Sequence, residues 1–227
     1  MCLLTAWLQR PVQMRAAEQE EIRRPAAVST IAEEELAEFE QQPEAVRKLI
    51  RSALELTRMK LTYVFASHEP ERGGMDCSGT IYHLLRKTGI SDVPRQSDQI
   101  CRWVRDNSTL HRTDKADTLD HAAFADLRPG HLVFWSGTYT ATKREMPVTH
   151  VMLYLGKNKT TGRPVVFGAS DGRRYEGQRR TGVSIFDLVL PKPGAAAAVY
   201  GYGPVPGLHV NAPKSKGSGK QKLNRAP

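Results

Sequence analysis

The chain has 227 residues, of which 40% are hydrophobic and 25% charged, and its net charge is +9. This hydrophobic share is sufficient for a folded core, which excludes a wholly disordered protein. No run of about 18 apolar residues occurs, so the sequence predicts no membrane-spanning helix. The basic balance indicates an anionic partner, and nucleic acid, cell-wall polymer and anionic lipid all satisfy that description.

The charge is unevenly distributed along the chain. Residues 1–40 contain eight Glu and four Arg, so the remainder carries a net charge of +13. We interpret 1–40 as an N-terminal extension, in which MCLLTAWLQRPVQM is either a degraded export signal or an arm of the fold. Residues 41–206 form the predicted main domain. Residues 207–227 hold five basic side chains and no acid, which predicts a disordered basic tail.

Three helices are predicted before residue 90. The acidic stretch TIAEEELAEFEQQ predicts a helix from Thr30, with a capping box formed by Thr30 and Glu33. Apolar residues recur at helical spacing over 43–60, and Pro43 suits the first position of that helix. A third helix is predicted from Ser78 to a stop at Gly89.

The second half has a different pattern, with short β-branched and aromatic runs between Gly and Pro turns. The predicted strands are 132–139, 149–156, 163–170, 182–188 and 198–207. Their short connections favour an antiparallel sheet. Helices followed by such a sheet predict an α+β fold.

Cys77 and His150 are the candidates for chemistry. Cys77 lies where a helix is predicted to begin, so the helix dipole and free N–H groups are expected to lower the pKa of its thiol. His150 opens the strand THVMLYLG, and strand alternation places His150, Met152 and Tyr154 on one face. A cysteine at a helix start facing a histidine on a sheet is the cysteine-peptidase arrangement. The alternative is an inert core cysteine and an unrelated surface histidine.

A wider pattern supports the peptidase interpretation. The segments YVFAS, MDCSGTIYHLL, VPRQSDQ, FADLRPGHLVFW, THVMLYLG and GYGPVPG occur in this order. This order and spacing resemble the NlpC-type cell-wall cysteine endopeptidases of the papain-like superfamily, from about residue 61 to 206. The resemblance implies a papain-like fold with N-terminal helices packed on a five- to six-stranded antiparallel sheet.

The resemblance also implies roles for individual residues. Cys77 would be the nucleophile, and His150 would take its proton and return it to the leaving amine. Asp76 would be associated with a free amino group of the substrate, although an aspartate here is also a helix N-cap. Ser78 would shape the floor of the site, and Tyr63 would line it near the developing oxyanion.

Two positions depart from the family pattern. His131 stands where members usually have Asp, which concerns loop stability more than chemistry. The third catalytic position, often His, aligns with Gly168, which has no side chain to orient an imidazole. Ser170 on the same strand face is the tentative replacement, and Asp171 or a backbone carbonyl are alternatives. We expect rewired rather than disabled machinery, because Cys77 and His150 are both present.

The other sequence patterns give weaker indications of a functional site. Cys101 lies on a predicted helix and is expected to pack, and Cys2 has no partner motif. No metal-ligand spacing and no phosphate-binding loop occurs, so we expect neither metal nor cofactor. The basic loop RRYEGQRR, residues 173–180, is either a solvated hairpin or a contact for acidic groups of the substrate.

The sequence therefore predicts a thiol protease that cleaves an amide bond in peptidoglycan stem peptides, and the resemblance points to a bond involving γ-linked D-glutamate. Wall remodelling and a secreted toxin both fit this chemistry. The alternatives are an amidase or acyltransferase of the same fold, and a catalytically silent wall-binding module. We expect a monomer of the cell envelope or the secreted fraction that contacts anionic wall polymer through its basic surface and no specific nucleic acid.

Overall fold

A computed structural model describes residues 25–114 and 116–208 of the chain. The predicted export signal, Cys2 and nearly all of the predicted basic tail lie outside the described residues. None of the helices within the described ranges is long and apolar enough to cross a membrane.

The helices precede the main sheet. The three α-helices of the described residues are α1 (Glu44–Arg58), α2 (Cys77–Lys87) and α3 (Ser97–Asn107). Single 3-10 turns occupy Glu33–Glu35, Pro70–Arg72 and Ala122–Phe124. The predicted second and third helices are confirmed as α1 and α2, since their apolar faces are buried.

The sheet has six antiparallel strands in the order β3-β8-β4-β5-β6-β7. These strands are β3 (His111–Arg112), β4 (His131–Ser136), β5 (His150–Lys157), β6 (Pro164–Tyr175), β7 (Gln178–Asp187) and β8 (Ala198–Pro204). Two further strands, β1 (Thr62–Tyr63) and β2 (Gly74–Met75), pair in parallel just before α2. The predicted α+β fold is confirmed, with β3 as a strand that the sequence did not reveal.

The sheet is buried on both faces. Val151 and Leu153 of β5 join the large core on the helical side, whereas Met152 and Tyr154 join a smaller cluster on the opposite side. This is the alternation expected of the strand THVMLYLG. The predicted basic loop 173–180 is the end of a hairpin, because β6 and β7 continue to its turn.

The predicted acidic helix from Thr30 is wrong. Only Glu33–Glu35 form a single 3-10 turn, and the flanking backbone bonds elsewhere: the Ala37 N–H donates to the Lys157 carbonyl, and the Glu35 carbonyl accepts from the Lys159 N–H. These tertiary hydrogen bonds replace the ones a helix would have made.

Residues 25–40 also pack as part of the main fold. The Ala27 backbone exchanges hydrogen bonds with Thr181 at the free edge of β7, and Phe39 is completely buried in the main core. Residues 25–40 therefore share the core of the main fold, and the division of the chain after residue 40 stays a prediction. An edge strand covered in this way is also protected from pairing with other chains.

Phe39→Ala should lower the free energy of unfolding by about 3–5 kcal/mol, because it removes a fully buried aromatic ring. The control is Phe65→Ala, whose ring is 73% exposed and should change stability by less than about 0.5 kcal/mol. Urea denaturation followed by circular dichroism measures both. Equal effects of the two substitutions would contradict the packing of residues 25–40 against the core.

Candidate active site

Cys77 is the first residue of α2 and follows directly on the N-cap residue Asp76. The Asp76 carboxylate accepts the Gly79 N–H at 2.6 Å and the Ser78 hydroxyl at 3.2 Å. A side chain that caps the first turn in this way stabilises the helix start by about 1 kcal/mol. The sequence MDCSG therefore places Cys77 at a helix N-terminus, as predicted.

Arg95 completes the polar network around this cap. Its guanidinium donates to both carboxylate oxygens of Asp76, at 3.2 and 3.0 Å, and to the Ser78 hydroxyl at 2.9 Å. Such two-pronged pairing between arginine and carboxylate is strong and directional. Asp76, 6% exposed, is therefore already bonded on both oxygens. Arg95 lies in the sequence motif PRQS, but nothing in the sequence indicated that it would pair with Asp76.

The expectation that the pKa of Cys77 is lowered is wrong. Burial raises the pKa of its thiol to about 11, and the neighbouring Asp76 carboxylate adds to this. Hydrogen bonds from the backbone N–H groups of Val151 and Ser78 lower the pKa, but by less than burial raises it. In the structure the thiol is therefore protonated at neutral pH.

His150 opens β5 and lies next to Val151 in the chain. Because the Val151 N–H is hydrogen-bonded to the thiol, the start of β5 and the start of α2 meet at Cys77. Burial lowers the pKa of His150 well below its usual value, and the charge of Arg173 lowers it further. Nε2 of the imidazole is buried without a hydrogen-bond partner among the described residues. Its ring contacts Trp135 edge-on, with 5.6 Å between centroids.

Two cavities adjoin the site and share part of their walls. One, of about 330 Å³, is lined by Cys77 and by Asp76 and Ser78; the other, of about 420 Å³, is lined by His150 and Ser170. The residues common to both walls are Tyr63, Phe65 and Tyr139. The predicted site residues thus lie around one cleft region, with the thiol and the imidazole facing adjoining spaces.

A side chain does not fit at Gly168, the third catalytic position, without movement of its neighbour. A Cβ atom added there would lie 2.9 Å from Cγ of Met152, so Met152 occupies the space of a side chain. Ser170 lines the cavity with His150 and is 8% exposed. No hydrogen bond joins the Ser170 hydroxyl to the imidazole, whose Nε2 is without a partner in the described part of the chain. The assignment of Ser170 stays a prediction.

The sequence missed several residues that surround the site. Trp135 pairs with His150 across β4 and β5, and the guanidinium of Arg173 lies 4.3 Å from the centre of the Trp135 ring. Tyr139 and Arg144 come from the loop 137–149 between β4 and β5, and the Arg144 guanidinium donates to the Asp98 carboxylate at 2.7 Å. In the sequence, Trp135 was visible as part of the aromatic run LVFW and Arg173 as part of the basic loop 173–180.

The remaining candidates, Cys101 and His131, pack against other parts of the fold. Cys101 is completely buried in the main core, which confirms that it packs. Burial lowers the pKa of His131 to about 4, and its ring stacks on Tyr202. Within the described ranges, no group of three or more His, Cys, Asp or Glu side chains could hold a metal ion.

Comparison with known proteins identifies the domain that carries this site. Residues 60–166 match the model of the NlpC/P60 family. This range contains Tyr63, the tetrad 76–79, Arg95 and His150, and it ends before Gly168. A search of the curated proteins finds no match to the chain.

Alkylation of Cys77 by iodoacetamide should be slow at pH 7 and accelerate about tenfold per pH unit up to pH 9.5, because only the thiolate reacts and its pKa is about 11. Mass analysis of peptides from the quenched protein separates Cys77 from the other thiols. Cys101, fully buried, is the internal control and should stay unmodified in the folded protein. A rate that levels off below pH 8 would contradict the raised pKa.

Proposed function

Because residues 60–166 belong to the NlpC/P60 family, whose function is of the cell-wall peptidase or amidase type, we propose that this chain is a cysteine peptidase of peptidoglycan stem peptides. The scissile bond is an amide formed by the γ-carboxyl of D-glutamate. The observation that carries the proposal is that Cys77 at the start of α2 and His150 at the start of β5 line adjoining cavities, which share Tyr63 and Tyr139 in their walls.

The reaction begins from a neutral thiol and a neutral imidazole. His150 takes the Cys77 proton as sulfur attacks the scissile carbonyl, and a tetrahedral oxyanion forms. The imidazolium then protonates the leaving amine, the C–N bond breaks, and a thioester remains. Water, deprotonated by His150, attacks this thioester and releases the acid and the free thiol.

The other residues position the substrate in this proposal. Tyr63 lies beside Cys77 and Asp76, and burial raises the pKa of its hydroxyl, so the hydroxyl stays protonated and can donate to the oxyanion. A free substrate amine would share Asp76 with Arg95, since both carboxylate oxygens are already bonded. Ser78, held by Asp76, forms the floor of the cleft.

The orientation of His150 has two supports in this proposal. The Trp135 ring restrains the imidazole from one side, and Ser170 is the third residue facing it across the cavity. In this proposal, Trp135 and Ser170 together replace the polar side chain that is missing at Gly168. Such rewiring reduces the rate without removing nucleophile or base.

The site of action follows from the substrate. The family acts on the cell wall, so we place the chain in the cell envelope or outside the cell. Contact with anionic wall polymer through the basic surface and a monomeric state are further parts of the proposal. Wall remodelling and attack on a competitor's wall both use this reaction.

Digestion of purified peptidoglycan tests the proposed reaction. Wild-type protein should release stem-peptide fragments, and Cys77→Ala and His150→Ala should each reduce the release by about a thousandfold or more. Cys101→Ala is the matched cysteine control and should retain activity if it folds, which its circular dichroism checks. The masses of the released fragments identify the bond that is cleaved.

Each alternative gives a different result in the same experiment. Fragments carrying an added amine or alcohol instead of water would identify an acyltransferase. Cleavage of other amides but no wall fragment would identify an amidase. Wall binding without any release would identify a binding module and refute the peptidase.

Restoring a side chain at Gly168 tests how the base is oriented. Gly168→His alone should fold poorly, because its Cβ would lie 2.9 Å from Cγ of Met152. In Gly168→His with Met152→Ala the new imidazole can reach the unpaired Nε2 of His150, and kcat should rise about tenfold or more. Met152→Ala alone is the control. A folded double variant with unchanged kcat would show that the wild-type imidazole is already oriented.

A further inference from the structure

Tyr139 lies in the walls of three cavities. It borders the space with Cys77, of about 330 Å³, the space with His150, of about 420 Å³, and a third space of about 560 Å³ that is formed mainly by its own loop. The sulfur and the imidazole therefore line different spaces. In the proposed reaction, a substrate carbonyl has to reach the sulfur while the imidazole takes the thiol proton, which requires one continuous space.

Both ends of the loop 137–149 are attached to the fold. The Thr138 N–H donates to the Thr149 hydroxyl at 3.0 Å, and the two hydroxyl oxygens are 2.7 Å apart. At the other end, Met146 and Val148 are buried in the main core. Any movement of the loop is therefore confined to the part between these attachments.

The middle of the loop, residues 139–145, is weakly held. Its residues form no backbone-to-backbone hydrogen bond with any part of the chain that the structure describes. All of them except Ala141 and Arg144 are exposed, and Lys143 has a φ of +56°, a conformation that is uncommon for residues other than glycine. Surface segments that lack such hydrogen bonds open at a low cost in free energy. The middle of the loop is thus the part of the site wall best able to move.

Arg144 holds Tyr139 in place. Its guanidinium donates to the Tyr139 hydroxyl at 2.5 Å and to the Asp98 carboxylate at 2.7 Å. It also donates to the Val148 carbonyl at 3.2 Å and to the Ser97 hydroxyl at 3.3 Å. Asp98 is a buried residue of α3, so the guanidinium is attached to the body of the fold. Arg144 is therefore fixed by several acceptors, whereas the Tyr139 hydroxyl has this one hydrogen bond among the described residues.

We propose that Tyr139 is a gate for the catalytic pair. Bound to Arg144, it separates the cavity of Cys77 from that of His150, and released from Arg144 it lets the two cavities join. The closed state fits the burial of both reacting residues, which are 5% and 8% exposed. The third cavity gives the ring room to move aside. The role of the gate in turnover rests on the proposed function, but the gate itself is a property of the free protein.

Alkylation of Cys77 by iodoacetamide at pH 7 tests the gate, because the rate follows the fraction of molecules in which the gate is open. Tyr139→Phe removes only the hydroxyl and should raise the rate by about tenfold, the effect of losing one hydrogen bond to a charged group. Tyr139→Ala also removes the ring and should raise it at least as much. Mass analysis of peptides measures modified Cys77, and the fully buried Cys101 should stay unmodified while the protein is folded.

The arginine side of the contact can be tested without leaving Asp98 unpaired. Arg144→Lys keeps a cation for the Asp98 carboxylate but loses the fork that holds two partners, so the rate should rise here too. Arg102→Met is the matched control, because the partner of Arg102 is Glu145 of the same loop rather than Tyr139. It should leave the rate unchanged. Unchanged rates in both Tyr139 variants, or an equal rise in Arg102→Met, would overturn the proposal.

The gate and the peptidase function can fail separately. Protein that releases nothing from peptidoglycan, but whose Cys77 reacts faster in Tyr139→Phe, retains the gate and loses the peptidase function. Protein that releases wall peptides, but whose Cys77 reacts at one rate in all variants, retains the peptidase function and loses the gate.

Discussion

The site depends on how closely the first turn of α2 approaches the backbone at Ser67. The Ser67 carbonyl accepts the Asp76 N–H at 3.0 Å, and a Cβ atom on Gly79 would lie 2.0 Å from the same oxygen. Only glycine allows this approach. It fixes Asp76 as the N-cap, whose carboxylate then binds Arg95, and it makes Cys77 the first residue of the helix. The tetrad 76–79 is therefore one structural unit, and the position of the thiol follows from it.

Burial decides the charge state of the resting site. A helix N-terminus and two backbone N–H groups favour a thiolate at Cys77, yet desolvation is larger and its pKa rises to about 11. The same effect keeps His150 neutral. Thiol and imidazole are therefore both uncharged before substrate binds. A slow thiol in the free protein then indicates a closed site, and it does not distinguish an enzyme from a silent binding module.

Local pattern was enough to predict α1, α2 and most of the sheet, because hydrophobic periodicity can be read from consecutive residues. The order of the motifs made Cys77 and His150 the candidates for catalysis, and the structure places them on adjoining cavities. The helix expected from Thr30 failed because its backbone bonds to the end of β5, a contact between distant segments. The raised pKa of Cys77 depends on burial, which spacing does not reveal. The basic loop 173–180 was noticed, but the contact of Arg173 with Trp135 could not be predicted, because the irregular register after Ser170 sets the position of Arg173.

The absence of a side chain at Gly168 and the positive charge of Arg173 beside His150 are electrostatically compatible. A polar acceptor on Nε2 would favour imidazolium at rest, and imidazolium beside Arg173 would be repelled. With Gly168 at that position the imidazole stays neutral, and the guanidinium can be accommodated.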